Sequence, residues 1–298
     1  MAFLIQVLIT GILIGGVYSL ISLPVVMIFK ASKIFNFAQG SLVMLGAWVA
    51  WSFMDPIKGF GIPWYISIVM ALFIAVLIGL VVERFVLQPL LGQPLFSTII
   101  VTLGLDAMFM GIVFFFWGTI TGDSYPPFIP SGIIKLGPII ISTEHLIVFG
   151  IALALMGIFI LFFKYHRYGL AMRSVAEEHQ VSEALGIRVT AILRITWMLG
   201  CVITFMGGIL LASITSLSLT LDSIALLCFV VILMGGLESI LGVLVAGPMV
   251  GIIEQLTAQY IDPLVGGGFT HIMPFIILLV TVLIRPHGIF GLERIERI

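Results

Sequence analysis

Long apolar runs separated by short polar intervals make up this chain, and about nine of them can be counted. They cover Phe3 to Phe29, Phe35 to Met54, Trp64 to Val82, Leu95 to Trp117, His145 to Phe163, Ile195 to Ala212, Ser223 to Met234, Ile240 to Tyr260 and Thr270 to Ile284. Most approach the roughly 20 residues that an α-helix needs to cross a bilayer. The seventh is short for a full span and runs into Gly235-Gly236. The pattern predicts an all-α integral membrane protein, a polytopic helical bundle of about 8–9 transmembrane segments forming one domain over residues 1–298. A membrane barrel would need strands of about ten alternating residues, which the pattern does not offer.

One polar interval is too long for a turn. It runs from Lys164 to Arg194 and carries Lys164, Arg167, Arg173, Arg188 and Arg194. Inside it Leu170, Val181, Ala184 and Leu185 alternate with Arg173, Glu177, Glu178 and Glu183, as an amphipathic helix lying along the membrane surface requires. So much basic charge is costly at bilayer depth and belongs on the cytoplasmic side. Placing this interval inside puts eleven of the thirteen Lys and Arg residues inside, leaving Lys58 and Lys135 outside. The expected orientation has the N-terminus outside and the C-terminus in the cytoplasm.

Composition agrees: 61% of residues are hydrophobic and 9% charged, against about 45–50% and 25% in soluble domains. The net charge of −1 gives no reason to expect nucleic acid. Cys201 and Cys228 sit in apolar segments and read as small core residues. The first 29 residues lack a basic n-region and run long for a cleavable signal. No His/Cys cluster has metal-ligand spacing, and the pair Glu144-His145 at a span edge reads as an interfacial anchor.

Two stretches read as interrupted helices: Lys33-Ile34-Phe35-Asn36-Phe37-Ala38-Gln39-Gly40-Ser41 and Met234-Gly235-Gly236-Leu237-Glu238-Ser239-Ile240-Leu241-Gly242. Paired interruptions in the two halves of a membrane protein point to a solute pathway; tight turns between closely packed helices give the same residues.

At these residues the chain resembles a known family. Asn36-Phe37-Ala38-Gln39-Gly40 followed by Met44-Leu45-Gly46-Ala47 is similar to the Asn-Phe-Ala-His-Gly segment of the branched-chain amino-acid ABC permeases. Tyr168-Gly169, Arg173, Ala176-Glu177-Glu178 and Ala184-Leu185-Gly186-Ile187 resemble that family's cytoplasmic coupling loop, here about 164–194. Gly235-Gly236 to Gly242, Glu254 and Arg285-Pro286-His287-Gly288-Ile289-Phe290-Gly291 resemble its later landmarks. The smaller of the family's two usual permeases fits best, over nearly the whole chain. The resemblance implies a permease subunit of an ATP-driven importer in a bacterial-type inner membrane, carrying branched-chain or related amino acids. It implies four kinds of contact: a second related permease, two cytoplasmic ATPase subunits, an extracytoplasmic solute-binding protein and the bilayer. ATP and Mg belong to the ATPase partners. This chain needs no cofactor and is not an enzyme, having no Gly-Lys pair from which a phosphate-binding loop could be built.

Within that reading, residue type and placement suggest roles. Leu170, Val181, Ala184 and Leu185 form the face expected against an ATPase, with Arg173, Glu177 and Glu178 at its polar rim and Gly186 as the exit turn. Asn36, Gln39, Ser41, Thr98, Thr102, Ser213, Thr215 and Ser216 either line the solute pathway or bond helix backbones. The external interval of about 119–142 holds Pro126, Pro127, Pro130 and Pro138. With Asp123, Tyr125, Phe128 and Ile129 it forms a seat for the binding protein or a lid over the chain's own spans. Gln39 stands where the family has His, Glu238 where it commonly has Gly, Leu241 where it commonly has Pro, and Asp106 where it has a small or hydroxylated residue. These departures keep open an importer of urea, amides or another small solute. Asp106, an intramembrane acid, keeps open a proton-coupled transporter working alone.

Overall fold

The computed structural model describes residues 2–90, 93–118, 125–177, 179–285 and 287–291. Each apolar run becomes a helix: α1 (Ala2–Ser32), α2 (Gln39–Met54), α3 (Trp64–Val82), α4 (Leu95–Trp117), α5 (Thr143–Tyr165), α8 (Val189–Thr215), α9 (Ile224–Gly235), α10 (Ile240–Leu256) and α12 (Phe269–Ile284). The basic interval supplies α6 (Arg167–Glu177) and α7 (His179–Ala184), and a turn of helix, α11, covers Asp262–Val265. Among the described residues, six continuous helical segments are long and apolar enough to cross a bilayer: Ala2–Ser32, Trp64–Leu90, Phe96–Trp117, Thr143–Tyr165, Val189–Thr215 and Ile240–Val265. Two of them outrun their apolar cores, because α3 continues as a π-helix over Glu83–Leu87 and α10 as another over Thr257–Ile261.

The chain divides into two compact units. One comprises Met27–Phe128 and Ala154–Ala225, and α2 is its centre. Only Ser52 and Phe53 of this helix escape full burial. At 16 residues it is about 24 Å long, short of the roughly 30 Å hydrocarbon core. It is also apolar all round, the pattern of a helix enclosed by protein rather than lipid. Helices α3, α4 and α8 pack on it. At Gly46 a Cβ would lie 2.7 Å from the Cα of Phe205, and at Gly208 it would strike the carbonyl of Val43, so α2 and α8 meet backbone to backbone. At the far end of α3, Glu83 is 2% exposed and accepts a hydrogen bond from Nε of Arg194 at 3.0 Å. That ion pair ties α3 to the opening turns of α8.

The other unit comprises Met1–Val26, Ile129–Leu153 and Leu226–Ile298. Here α1 and α10 run antiparallel along a seam of small residues, Gly11 against Ile252 and Gly15 against Pro248. The Ser19 hydroxyl bonds the Val243 carbonyl at 3.0 Å, and the Tyr18 hydroxyl donates to Oε2 of Glu254 at 2.6 Å. Helical side chains lean toward the N-terminus, which is how Tyr18 reaches a residue level with Gly11. The expected interruption between α9 and α10 is present. Gly236 takes φ +106°, Ser239 caps α10 by accepting from the Gly242 N–H at 3.0 Å, and the Ile289 N–H bonds the Met234 carbonyl at 2.7 Å.

The external interval differs from the loop read in the sequence. Residues 119–124, Asp123 among them, lie outside the described residues. Beyond them, β1 (Ile133–Leu136) and β2 (Ile139–Ser142) pair as an antiparallel hairpin, Leu136 opposite Ile139. Gly137 at φ +64° supplies the left-handed first position of a two-residue turn. The β-branched residues flanking Gly137-Pro138 carried that signal.

The buried pair yields a stability prediction. Arg194→Met strands the Glu83 carboxylate and should cost about 2 kcal/mol, below the range for enclosed pairs because Arg194 stays 35% exposed. Glu83→Gln combined with Arg194→Met should recover most of that loss. Thermal unfolding in nanodiscs checks this, and a double variant as unstable as Arg194→Met would contradict it.

Candidate functional site

The basic interval folds back on its own spans while leaving one side uncovered. In α6, Gly169, Met172, Val175 and Ala176 are buried, whereas Leu170 is 61% exposed. In α7 and the turn after it, Ser182 is buried while Val181 and Leu185 are 55% and 72% exposed, and Ala184 is exposed too. The predicted apolar face therefore points outward, away from the chain's own packing. It is carried by two short helices rather than one, and the 3.1 Å contact between the hydroxyls of Ser174 and Ser182 braces them. Periodicity alone does not report such a brace. Glu178 lies outside the described residues, and Glu177 is exposed.

Two side chains in this region have defined structural jobs. Arg173 turns back rather than outward, donating from Nη2 to the Lys164 carbonyl at 3.2 Å and lying 6.0 Å from the Phe163 ring. Gly186 closes α7: its N–H bonds the Glu183 carbonyl at 2.9 Å, and the Ile187 N–H bonds the Ser182 carbonyl at 3.0 Å. With Gly186 at φ +83°, these two bonds are the Schellman ending that glycine favours. A Cβ there would meet nothing within 4 Å, so the requirement is one of backbone conformation and not of space.

The interruption between α1 and α2 gathers several of the polar candidates into a knot. Oδ1 of Asn36 accepts from the Ala38 N–H at 3.2 Å, and its Nδ2 donates to Oε1 of Gln39 at 3.2 Å. Nε2 of Gln39 donates to Oγ1 of Thr204 on α8 at 3.0 Å. Thr102 on α4 donates to the Phe35 carbonyl at 3.2 Å, and Ser41 to the Ala38 carbonyl at 3.1 Å. All five predicted or recruited side chains are 1% exposed or less. Thr204 was not foreseen; in the sequence it is one hydroxyl in a long apolar helix.

The remaining candidates stand apart. Thr98 faces the Pro94 carbonyl at 3.5 Å, Ser213 donates to Leu210 at 2.7 Å and Thr215 to Leu211 at 2.8 Å, all within their own helices. Ser216 ends α8 at φ +108° and is exposed. Asp106 makes no hydrogen bond among the described residues. Its charge acts on Asp222, in the 3₁₀ turn before α9, as a like-charge neighbour. Among the described residues no group of His, Cys, Asp and Glu could hold a metal ion.

The external segment is partly consumed by packing. Tyr125 is buried and its hydroxyl reaches the Ala47 carbonyl at 3.4 Å; burial raises its phenol well above the usual range, so it stays neutral. Phe128 stacks on Trp64 with centroids 6.2 Å apart, and Ile129 is buried. Tyr125 and Ile129 are therefore not free contact area for a partner, and of the two expectations for this interval these residues follow the lid. The hairpin is different, with Ile133 65% and Ile140 46% exposed.

Comparison with known proteins fits this arrangement. A protein named "Probable branched-chain amino acid transport permease protein LivH" from Methanocaldococcus jannaschii is 28% identical over 95% of this chain and 91% of its own. The high-affinity branched-chain amino acid transport system permease proteins BraD of Pseudomonas aeruginosa and LivH of Escherichia coli are each 24% identical, over 99% of this chain and 98% of theirs. Among solved structures, PsaBC from Streptococcus pneumoniae in complex with Fab shares the fold. Its TM-score is 0.53 at 15% identity, covering 96% of this chain and 93% of that one. The family model described as branched-chain amino acid transport system / permease component matches residues 7–284. With a match of that extent, this all-α, multi-pass membrane chain belongs to the branched-chain amino acid transport system permease family.

Proposed function

We propose that the chain is one of two permeases in an ATP-driven importer of branched-chain or related amino acids, with its N-terminus outside and its C-terminus in the cytoplasm. The observation that carries this reading is the outward apolar face of Leu170, Val181 and Leu185, on helices whose other side is packed home. Such a face in water is unstable unless covered. Two cytoplasmic ATPase subunits, holding ATP and Mg, would supply the covering groove. A second related permease and an extracytoplasmic solute-binding protein complete the assembly, and the solute passes between the permeases.

In this reading the ATPase pair pushes and pulls on α6 and α7, and α8 carries the displacement to the knot at Gln39. Of the polar candidates, Ser213, Thr215 and Ser216, which are not buried, supply the passage with sparse hydrogen-bonding groups, while Asn36, Gln39, Ser41, Thr98 and Thr102 hold helix backbones and neighbouring helices. A zwitterion leaving water needs such groups, yet tight binding would stall its release. The binding protein supplies most of the selectivity, and it seats on the hairpin of Ile133–Ser142 rather than on Tyr125 or Ile129.

The coupling role makes a graded prediction. Gly186→Val should break the Schellman ending and raise the ATP hydrolysed per solute imported severalfold, while Gly186→Asn, which tolerates the left-handed region, should stay near wild type. Uptake and hydrolysis measured together in proteoliposomes decide it; normal stoichiometry in Gly186→Val would sink the assignment. The docking role predicts that Ile133→Glu with Ile140→Glu cuts binding-protein stimulation of the ATPase at least fivefold and spares basal hydrolysis. Unchanged stimulation would move the seat elsewhere.

A further inference from the structure

Where α5 gives way to α6, positive charge gathers on a shelf of aromatic rings. Lys164 sits in the last turn of α5 and Arg167 opens α6. The Lys164 Nζ lies 5.3 Å from the Tyr165 ring, and the Arg167 guanidinium 5.4 Å from that of Tyr168. Lys30, at the end of α1, and Arg173, on α6, both stand 6.0 Å from the ring of Phe163. Sharing that neighbour, they lie within twice that distance of each other. His166 shapes the elbow: its ring stacks on Phe162 and on Tyr168, and its Nδ1 accepts from the Tyr168 N–H at 3.3 Å.

Four cations held this closely repel one another unless an anion joins them. None of the four meets a carboxylate among the described residues. Glu177, the acid of α6, stands one turn beyond Arg173, but Arg173 turns back and gives an N–H to the Lys164 carbonyl at 3.2 Å. Glu83 is held by Arg194. A cation facing a ring keeps its N–H groups for other acceptors. Arg173 therefore has four donors left, and Lys164 and Arg167, both exposed, have all of theirs.

Position selects the anion. On the span just before the cluster, Ile158, Leu161 and Tyr165 are all exposed. Spacings of three and four residues set them in one strip along α5. A strip of that kind on a membrane span is a surface for hydrocarbon, and Tyr165 and Tyr168 at its end suit headgroup level. Apolar surface below and unspent N–H donors above complement an amphiphile with an anionic phosphate head. A soluble anion would use the cations and leave the strip without a part. Basic residues clustered at the end of a span attract anionic lipid for the same electrostatic reason.

We propose that the elbow of α5 and α6 holds an anionic phospholipid of the adjoining leaflet. Its phosphate sits against Lys164 and Arg167, Lys30 and Arg173 deepen the positive potential, and its acyl chains lie along Ile158 and Leu161. The lipid anchors the root of α6 at headgroup level, next to the helix that carries Leu170.

The test uses the full chain in nanodiscs of phosphatidylcholine doped with phosphatidylglycerol, each lipid offered in turn with a photoreactive diazirine on its acyl chain. The phosphatidylglycerol probe should label peptides holding Ile158 and Leu161 severalfold more than the phosphatidylcholine probe. Lys164→Gln with Arg167→Gln should cut that preference roughly fivefold or more. The exchange Lys164→Arg with Arg167→Lys keeps both charges and should leave the preference near wild type. Arg188→Gln removes an exposed cation elsewhere in the same interval and should change nothing. Equal labelling by the two probes, or a preference untouched by the double glutamine variant, would overturn the proposal. Suppression by inorganic phosphate beyond that by chloride at equal ionic strength would overturn it too, marking a site for soluble anions. So would a photocrosslinker at Tyr165 that captures a polypeptide in the assembled importer. None of these readouts needs transport, so they stand or fall separately from the importer reading.

Discussion

Inside a bilayer every backbone N–H and C=O must find a partner within the protein, so a break in a helix survives only where side chains supply the missing bonds. The interruption between Ser32 and Gln39 meets that constraint in full view. Ser32 Oγ accepts from the Ile34 N–H at 3.2 Å, Asn36 Oδ1 accepts from the Ala38 N–H, and Thr102 gives its hydroxyl to the Phe35 carbonyl. Removing any one leaves a backbone group bare in a place where that costs about 1–3 kcal/mol. The break in turn frees α2 to enter the interior as a short, wholly apolar helix, and the glycine contacts with α8 follow from that placement. Packing around α2 thus depends on a few polar atoms at its start.

Helix α8 connects these features along one rigid element. Its N-terminal residue follows the turn of Gly186, Arg194 grips Glu83, Thr204 bonds Gln39 and Gly208 meets Val43. From Arg194 to Thr204 is about 15 Å of helix. An α-helix transmits displacement along its axis with little loss, whereas a packed interface resists small shifts and gives way between discrete arrangements. A push on α6 and α7 would therefore be felt at the ion pair and at the knot together. The knot, made of hydrogen bonds that can exchange, is the softer of the two.

The helices were legible in the sequence because the bilayer fixes their composition and, for the six long segments, their length as well. The breaks at Asn36 and Gly236 were visible too, since each joins glycine to polar residues, Lys33, Asn36 and Gln39 in one and Glu238 and Ser239 in the other, between two apolar runs. Three things were not. The partnership of Glu83 with Arg194 joins residues 111 positions apart, and each alone reads as a span-end charge. The division of the basic interval into α6 and α7 rests on tertiary bracing through Ser174 and Ser182, which periodicity does not report. Tyr125 stood equally for partner contact or for a lid, because a tyrosine in a Pro-rich loop has the same sequence signature whether it faces out or in. Orientation of a side chain at a loop is decided by what packs beneath it, here α2, and that neighbour is some 78 residues away.

Gln39 is the departure from the family pattern that the structure makes intelligible. Its amide serves the knot in both directions, accepting from Asn36 and donating to Thr204. A neutral imidazole also has one acceptor and one donor and could serve the same two neighbours. On gaining a proton in acid it would, however, lose its acceptor and break the bond from Asn36, even though burial pushes that step to lower pH than for a free imidazole. An amide carries no such liability. Full burial makes the protonated imidazole costly once formed, because a charge at this position would have no water to turn to. With glutamine the same geometry is held at every pH at which the rest of the protein is folded, so titration of this side chain is not a route by which the knot can open.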